Sequence, residues 1–190
     1  MRVLPLLLLA LALPLPAPAG EAGEAEARAT SVAVEEITPE TILQNLNLKR
    51  AQFDLPPFRR DFRLDDAAED RLSDMIEMRY WSHLAPDGRV PFTWMTLRGY
   101  RYVRAAENLA AGFDTPALLV DSWMESPGHR DNVLQPEFVD VGIAVLDGST
   151  VRRSPGRSAI VLFGRELIAA PINPRAGSDR SAAPTRQDPR

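Results

Sequence analysis

The chain contains no cysteine. That absence excludes a disulfide framework, a thiolate metal site, a cysteine nucleophile and a lipid-modified cysteine. Histidine is nearly as scarce, with only His83 and His129, so imidazole chemistry is confined to two places. An excess of positive charge is missing too: 22 Lys and Arg against 26 Asp and Glu leave a formal net charge of −4. The general basic footprint of a nucleic-acid binder is therefore lacking, and no nucleic acid is expected as a partner. There is no internal repeat. Proline is the residue in surplus, and it collects at the ends: Pro5, Pro14, Pro16 and Pro18 at one, Pro171, Pro174, Pro184 and Pro189 at the other. Only the stretch between them reads as folded, and at roughly 130 residues it has room for one hydrophobic core.

Residues Val3 to Pro16 are an almost purely apolar run behind Arg2, and Ala17-Pro18-Ala19 precedes Gly20. This is the pattern of a secretory signal peptide over residues 1–19. The run is shorter than the ~20 residues a membrane-spanning helix needs. A secreted or periplasmic chain without a stable membrane anchor is expected after cleavage. Residues 20–37 set Glu21, Glu24, Glu26, Glu35 and Glu36 among small side chains, which predicts an acidic disordered spacer. Residues 169–190 form a tail containing proline and arginine, also expected to be disordered. The folded domain is thereby bounded to 38–168.

Within it, Thr38-Pro39 is a helix start, with Ile42, Leu43 and Leu46 at helical spacing and an end near Gln52. After Pro56-Pro57, Asp65 or Asp66 is expected to cap a second helix. This helix carries Ala68, Leu72, Met75 and Ile76 on one face and ends before Trp81-Ser82-His83. Ala85-Pro86-Asp87-Gly88 is a turn, and Pro91 to Arg98 is a short helix closed by Gly99. A fourth helix starts at Thr115-Pro116 and stops before Pro127-Gly128. From Val139 to Val145 the pattern alternates with period two, as in a strand, and a second strand covers Ala159 to Phe163 and onward toward Ile168. Helices followed by paired strands predict an α+β domain with an antiparallel sheet.

The polar residues that stand out lie at element boundaries, where rigid elements present functional side chains. His83 follows Trp81-Ser82, and His129 follows Pro127-Gly128. They are 46 positions apart, so only folding can join them. Glu107 precedes Asn108 and a run of small residues between two expected helices. Glu125 sits at the C-terminal end of the fourth helix, where the dipole disfavours a negative charge. The aromatic residues Tyr80, Trp81, Trp94, Tyr100, Tyr102 and Trp123 fit core packing at helix ends better than a ligand platform.

Taken in order, these segments carry a resemblance. Ser82-His83, Pro86-Asp87-Gly88, Gly99-Tyr100, Glu107-Asn108-Leu109-Ala110-Ala111-Gly112, Trp123 to Arg130 with Asn132, and Val141-Gly142 together resemble the CAP superfamily. That superfamily is also called the SCP domain and groups cysteine-rich secretory proteins, antigen 5 and pathogenesis-related 1 proteins. The match, which includes Asn47 and Arg50, is to its cysteine-free bacterial branch, and the Ser126-Pro127-Gly128-His129-Arg130 block is its most specific part. The resemblance implies an α-β-α sandwich around a central antiparallel sheet, with a cleft lined by two histidines and two acidic residues. His83, Glu107 and His129 occupy the motif positions. The second acidic position corresponds to Ser126, so Glu125, Asp87 or water is left to fill that place.

Two neutral imidazoles suit zinc or another divalent metal, with carboxylates orienting the rings. No organic cofactor is implied. Three functions stay open on these residues. One is a binding protein whose cleft takes a small ligand, a lipid or a peptide. Another is a hydrolase of peptides or cell-envelope material in which Glu107 and Glu125 are the catalytic carboxylates. The third is an interaction module of the envelope.

Overall fold

The structure, a computed structural model, describes residues 35–149 and 154–168. The expected signal peptide, the spacer up to residue 34 and the tail from residue 169 lie outside the described residues. Helix α1 spans Pro39–Ala51. The hydroxyl of Thr38 accepts from the Thr41 N–H, and the Thr41 hydroxyl accepts from the Thr38 N–H. This reciprocal cap fixes the start where the sequence places it. Packing begins one residue earlier than the expected boundary, because Ile37 is buried in the core.

A two-residue strand β1, Arg59–Arg60, leads into helix α2, Phe62–Glu77. The cap of α2 is Asp61, whose carboxylate accepts from the Arg63 N–H at 2.9 Å, and not Asp65 or Asp66. Phe62 is exposed, so the apolar periodicity begins a turn after the helix does. Asp65 instead accepts from the Ile143 N–H at 2.9 Å and pins α2 to the sheet. The helix ends as Arg79 turns left-handed at φ 55, which lets the Tyr80 N–H reach the Met75 carbonyl. Helix α3, Phe92–Leu97, is closed by Gly99 at φ 80.

The segment after it is strand β2, Tyr102–Phe113, where the sequence suggests only a connection between helices. The reason is burial on both sides: Ala106, Glu107 and Asn108 are consecutive and all buried, so the strand shows no apolar and polar alternation. Helix α4, Pro116–Glu125, is capped by Thr115 as expected. Pro127, which reads as a terminator, opens a further helix, α5, Pro127–Leu134, because proline is tolerated at the first helical position. Strands β3, Asp140–Ser149, and β4, Ser154–Glu166, complete the domain.

The four strands form one sheet in the order β1-β3-β4-β2. The short β1 runs parallel to β3, and the other pairings are antiparallel. One face carries Ala106, Ala110, Val141, Ile143, Val161 and Phe163 against α1, α4 and α5. The other carries Ala144, Ile160 and Leu162 against α2 and α3. The result is the expected α-β-α sandwich. Gly142 marks a close approach of helix to sheet: a Cβ there would lie 1.9 Å from the Leu64 carbonyl carbon. Trp94, Tyr100 and Trp123 are core residues, as their positions at helix ends suggest.

Candidate functional site

Strand β2 is an edge of the sheet, and side chains of both helical layers bond to it. Side chains alternate along a strand, so Glu107 faces the α2 layer and Asn108 the α5 layer. The outer carbonyls are covered by side chains: Trp123 Nε1 donates to the Leu109 carbonyl at 3.1 Å, and Asn132 Nδ2 donates to that of Glu107 at 3.5 Å. These contacts blunt an edge that would otherwise pair with another strand.

His83 stands on the loop after α2. Its Nδ1 lies 2.7 Å from Glu107 Oε1. A carboxylate only accepts, so the bond places a proton on Nδ1, and in the neutral ring Nε2 is then the nitrogen with the lone pair. The Glu107 side chain is 1% exposed and that of His83 57%, so a buried anion supports an accessible imidazole. His129 sits in the first turn of α5 and is held by its backbone: Asn108 Nδ2 donates to the His129 carbonyl at 3.1 Å, and Asn132 Nδ2 donates to Asn108 Oδ1 at 2.9 Å. Burial, and secondarily the neighbouring His83, lower the His129 pKa, which favours the neutral ring that binds metals. The two ring centres are 6.4 Å apart, with the planes inclined by 53°. Folding thus brings together three of the residues marked in the sequence, His83, Glu107 and His129.

Among the described residues no hydrogen bond joins Glu125 or Asp87 to this arrangement. Glu125 is exposed at the end of α4, and the bonds that tie the three together do not include it. Asp87 is exposed in the turn and accepts from the Arg89 N–H at 3.0 Å and from its guanidinium at 2.5 Å. Those bonds, the backbone one first, hold the Asp87 carboxyl below its usual range. Arg89 also donates to Asp74 at 2.7 Å, which ties the turn to α2.

What sequence reasoning missed is Arg71. It is fully buried on α2 and pairs with Glu107. In the run Asp65-Asp66-Ala67-Ala68-Glu69-Asp70-Arg71 it reads as one more residue of a solvated charged face. Its spacing is the one available signal, since Arg71 falls beside Ala68, Leu72 and Met75 on the apolar stripe.

Among the described residues, no group of three or more His, Asp and Glu side chains is arranged to hold a metal ion. The residues that could hold one are the two imidazoles, with Glu107 behind His83 as an orienting carboxylate. The site is open. Cavities of 410 Å³ and 310 Å³ lie elsewhere, one lined by Arg59, Asp140 and Arg165, the other between α2 and β3. Among the described residues no helix is long and apolar enough to cross a membrane.

Comparison with known proteins agrees with this fold. The family model of the cysteine-rich secretory protein family, CAP, matches residues 43–161. The chain is 33% identical over 110 residues to the uncharacterized protein YkwD of Bacillus subtilis, covering 58% of this chain and 43% of the relative. It therefore spans less than half the length of that relative. Among solved structures, an extracellular protein containing an SCP domain from Bacillus anthracis aligns with a TM-score of 0.59 at 25% identity, over 67% of this chain and 40% of the other. An outer surface protein of Borrelia burgdorferi shares the fold with a TM-score of 0.60 at 19% identity, over 70% of this chain and 99% of the other. With the family motif spread over both helical layers and the edge strand between them, the chain belongs to the CAP family.

Proposed function

We propose that this chain is an exported binding protein in which His83 and His129 jointly take a divalent cation of the zinc class and, with it, an oxygen-bearing group of a small ligand, lipid or peptide. The observation that carries the reading is the 6.4 Å approach of two histidines from opposite layers, with the buried Glu107 behind one of them. Two imidazole ligands leave a zinc ion with open positions, which is the chemistry of an anchor for an oxygen donor. The protein's own part is to hold His83 Nδ1 protonated, to keep His129 neutral and to present both rings at an accessible edge. Binding is favoured over hydrolysis because Glu107 has one oxygen bonded to Arg71 and the other to His83, which is the position of an orienting carboxylate and not of a free general base. Export is supported by residues 1–19 and by the likeness to a protein described as extracellular.

The test is a calorimetric zinc titration of the purified chain near pH 7. One saturable site is expected, weakened about tenfold or more by His83→Ala and by His129→Ala, each taken separately. Equal affinity in all three proteins would refute the reading.

A further inference from the structure

We infer that Arg71 is the positioning residue of this site, setting at once the carboxylate that orients His83 and the backbone that carries it. The inference rests on the reading of His83 as a ligand. A guanidinium offers five N–H donors in one rigid plane, and here they point in three directions. Nε donates to Glu107 Oε2 at 3.1 Å, one terminal nitrogen donates to the Tyr80 hydroxyl, and the other donates to the Ser82 carbonyl at 2.6 Å. Ser82 immediately precedes His83. One cation therefore fixes the ring through its partner and the loop through its main chain.

The surroundings keep that cation in place. Its central carbon lies 4.7 Å from the centre of the Trp94 ring and 5.2 Å from that of Tyr80. Burial, with the bond to Asp74, pushes the Tyr80 hydroxyl above its usual pKa, so it remains a phenol that accepts from Arg71 and donates to Asp74. Asp74 is also the acceptor for Arg89. Helix α2, the loop from Tyr80 to Arg89 and strand β2 are thus closed into one network with Arg71 at its centre.

This arrangement goes beyond packing because it selects a tautomer. With Oε2 held by Arg71, Glu107 presents Oε1 to His83 Nδ1, and the bond at one ring nitrogen decides which nitrogen is left to bind. Without Arg71 the carboxylate loses its fixed orientation, and with it the bond that singles out Nδ1 of His83.

Nitrogen-15 NMR of the imidazoles in the full chain, together with zinc titration, tests this. In the wild type His83 is expected as the Nδ1–H tautomer. Arg71→Met should give a mixture of tautomers and weaken zinc about tenfold. Arg71→Lys, which keeps the charge but cannot span three partners, should fall between, with about a threefold loss. Arg50→Lys, at a buried arginine remote from His83 in the bonding network, should leave the tautomer unchanged. If Arg71→Met fails to fold, Arg71→Lys decides. A lysine variant indistinguishable from wild type in tautomer and affinity, or a folded methionine variant that keeps both, would overturn the inference. The tautomer is read without metal, so a chain that ignores zinc but loses its tautomer would refute the proposed function and leave the role of Arg71 standing.

Discussion

Among the described residues each face of the sheet buries one arginine, and the two differ in what they hold. Arg50, on the α1 face, is 1% exposed and donates to backbone carbonyls: Pro56 at 2.7 Å, Val133 at 2.8 Å and Gln135 at 3.0 Å. Phe58 packs 3.9 Å from its central carbon, and burial lowers its pKa. Arg71, on the α2 face, is 0% exposed but holds two side chains, Glu107 and Tyr80, as well as one carbonyl. Burial alone does not distinguish them; their partners do. A cation bonded to main chain joins segments of the fold, in this case the end of α1 to the end of α5. A cation bonded to a carboxylate that itself meets an exposed histidine shapes a site.

Breaking the Arg71 side should have the largest effect. Arg71→Met leaves Glu107 buried without its cation, and loss of one partner of a buried pair costs about 3–5 kcal/mol. Denaturant unfolding should record that loss alongside the zinc defect. Arg50→Met removes the donor from four carbonyls, that of Phe138 at 3.5 Å included, and should cost about 3 kcal/mol or more, at roughly 1–3 for each buried acceptor that finds no replacement. The zinc affinity of the folded fraction should be unchanged. A shared zinc defect would erase the distinction between the two arginines.

Two smaller changes sharpen the comparison from the α2 side. Gly142→Ala drives a methyl into the Leu64 backbone, which cannot swing aside as a side chain would. A cost toward the upper end of ~1–3 kcal/mol is expected, read as a lower midpoint of thermal unfolding. Asp61→Asn keeps an oxygen to cap α2 but loses the pairing with Arg63, for about 0.5–1 kcal/mol at neutral pH. Arg63 lowers the folded pKa of Asp61 below 3.8, so its contribution is complete above that value and lost as pH falls through the folded pKa. The stability gap between wild type and variant should therefore close in acid. A gap that does not narrow as the pH falls below 3.8 would show that the charge is not its source.

The parts of the fold written in local chemistry were legible in the sequence: the Thr38-Pro39 and Thr115-Pro116 starts, the Gly99 stop, and the alternation after Val139. Strand β2 was not. It is covered on both sides, and the Glu107-Asn108 pair, which in isolation resembles a loop, takes its place in the sheet by bonding across to each layer. Helix α5 was hidden because Pro127-Gly128 signals an end and a beginning alike. In the site, the motif resemblance pointed to His83, Glu107 and His129, whereas Arg71 escaped notice because a buried charge and a solvated one look the same until the partner is known. Glu107 supplies that partner, from 36 residues away.

The central claim is that histidines from the two layers act as one ligand pair at the edge of the sheet. X-ray absorption at the zinc edge of the stoichiometric complex measures this directly. Two imidazole nitrogens at ~2.0–2.1 Å with oxygen completing the shell are predicted, falling to one nitrogen in His129→Ala. A shell without imidazole, or one unaltered by that substitution, would contradict the account.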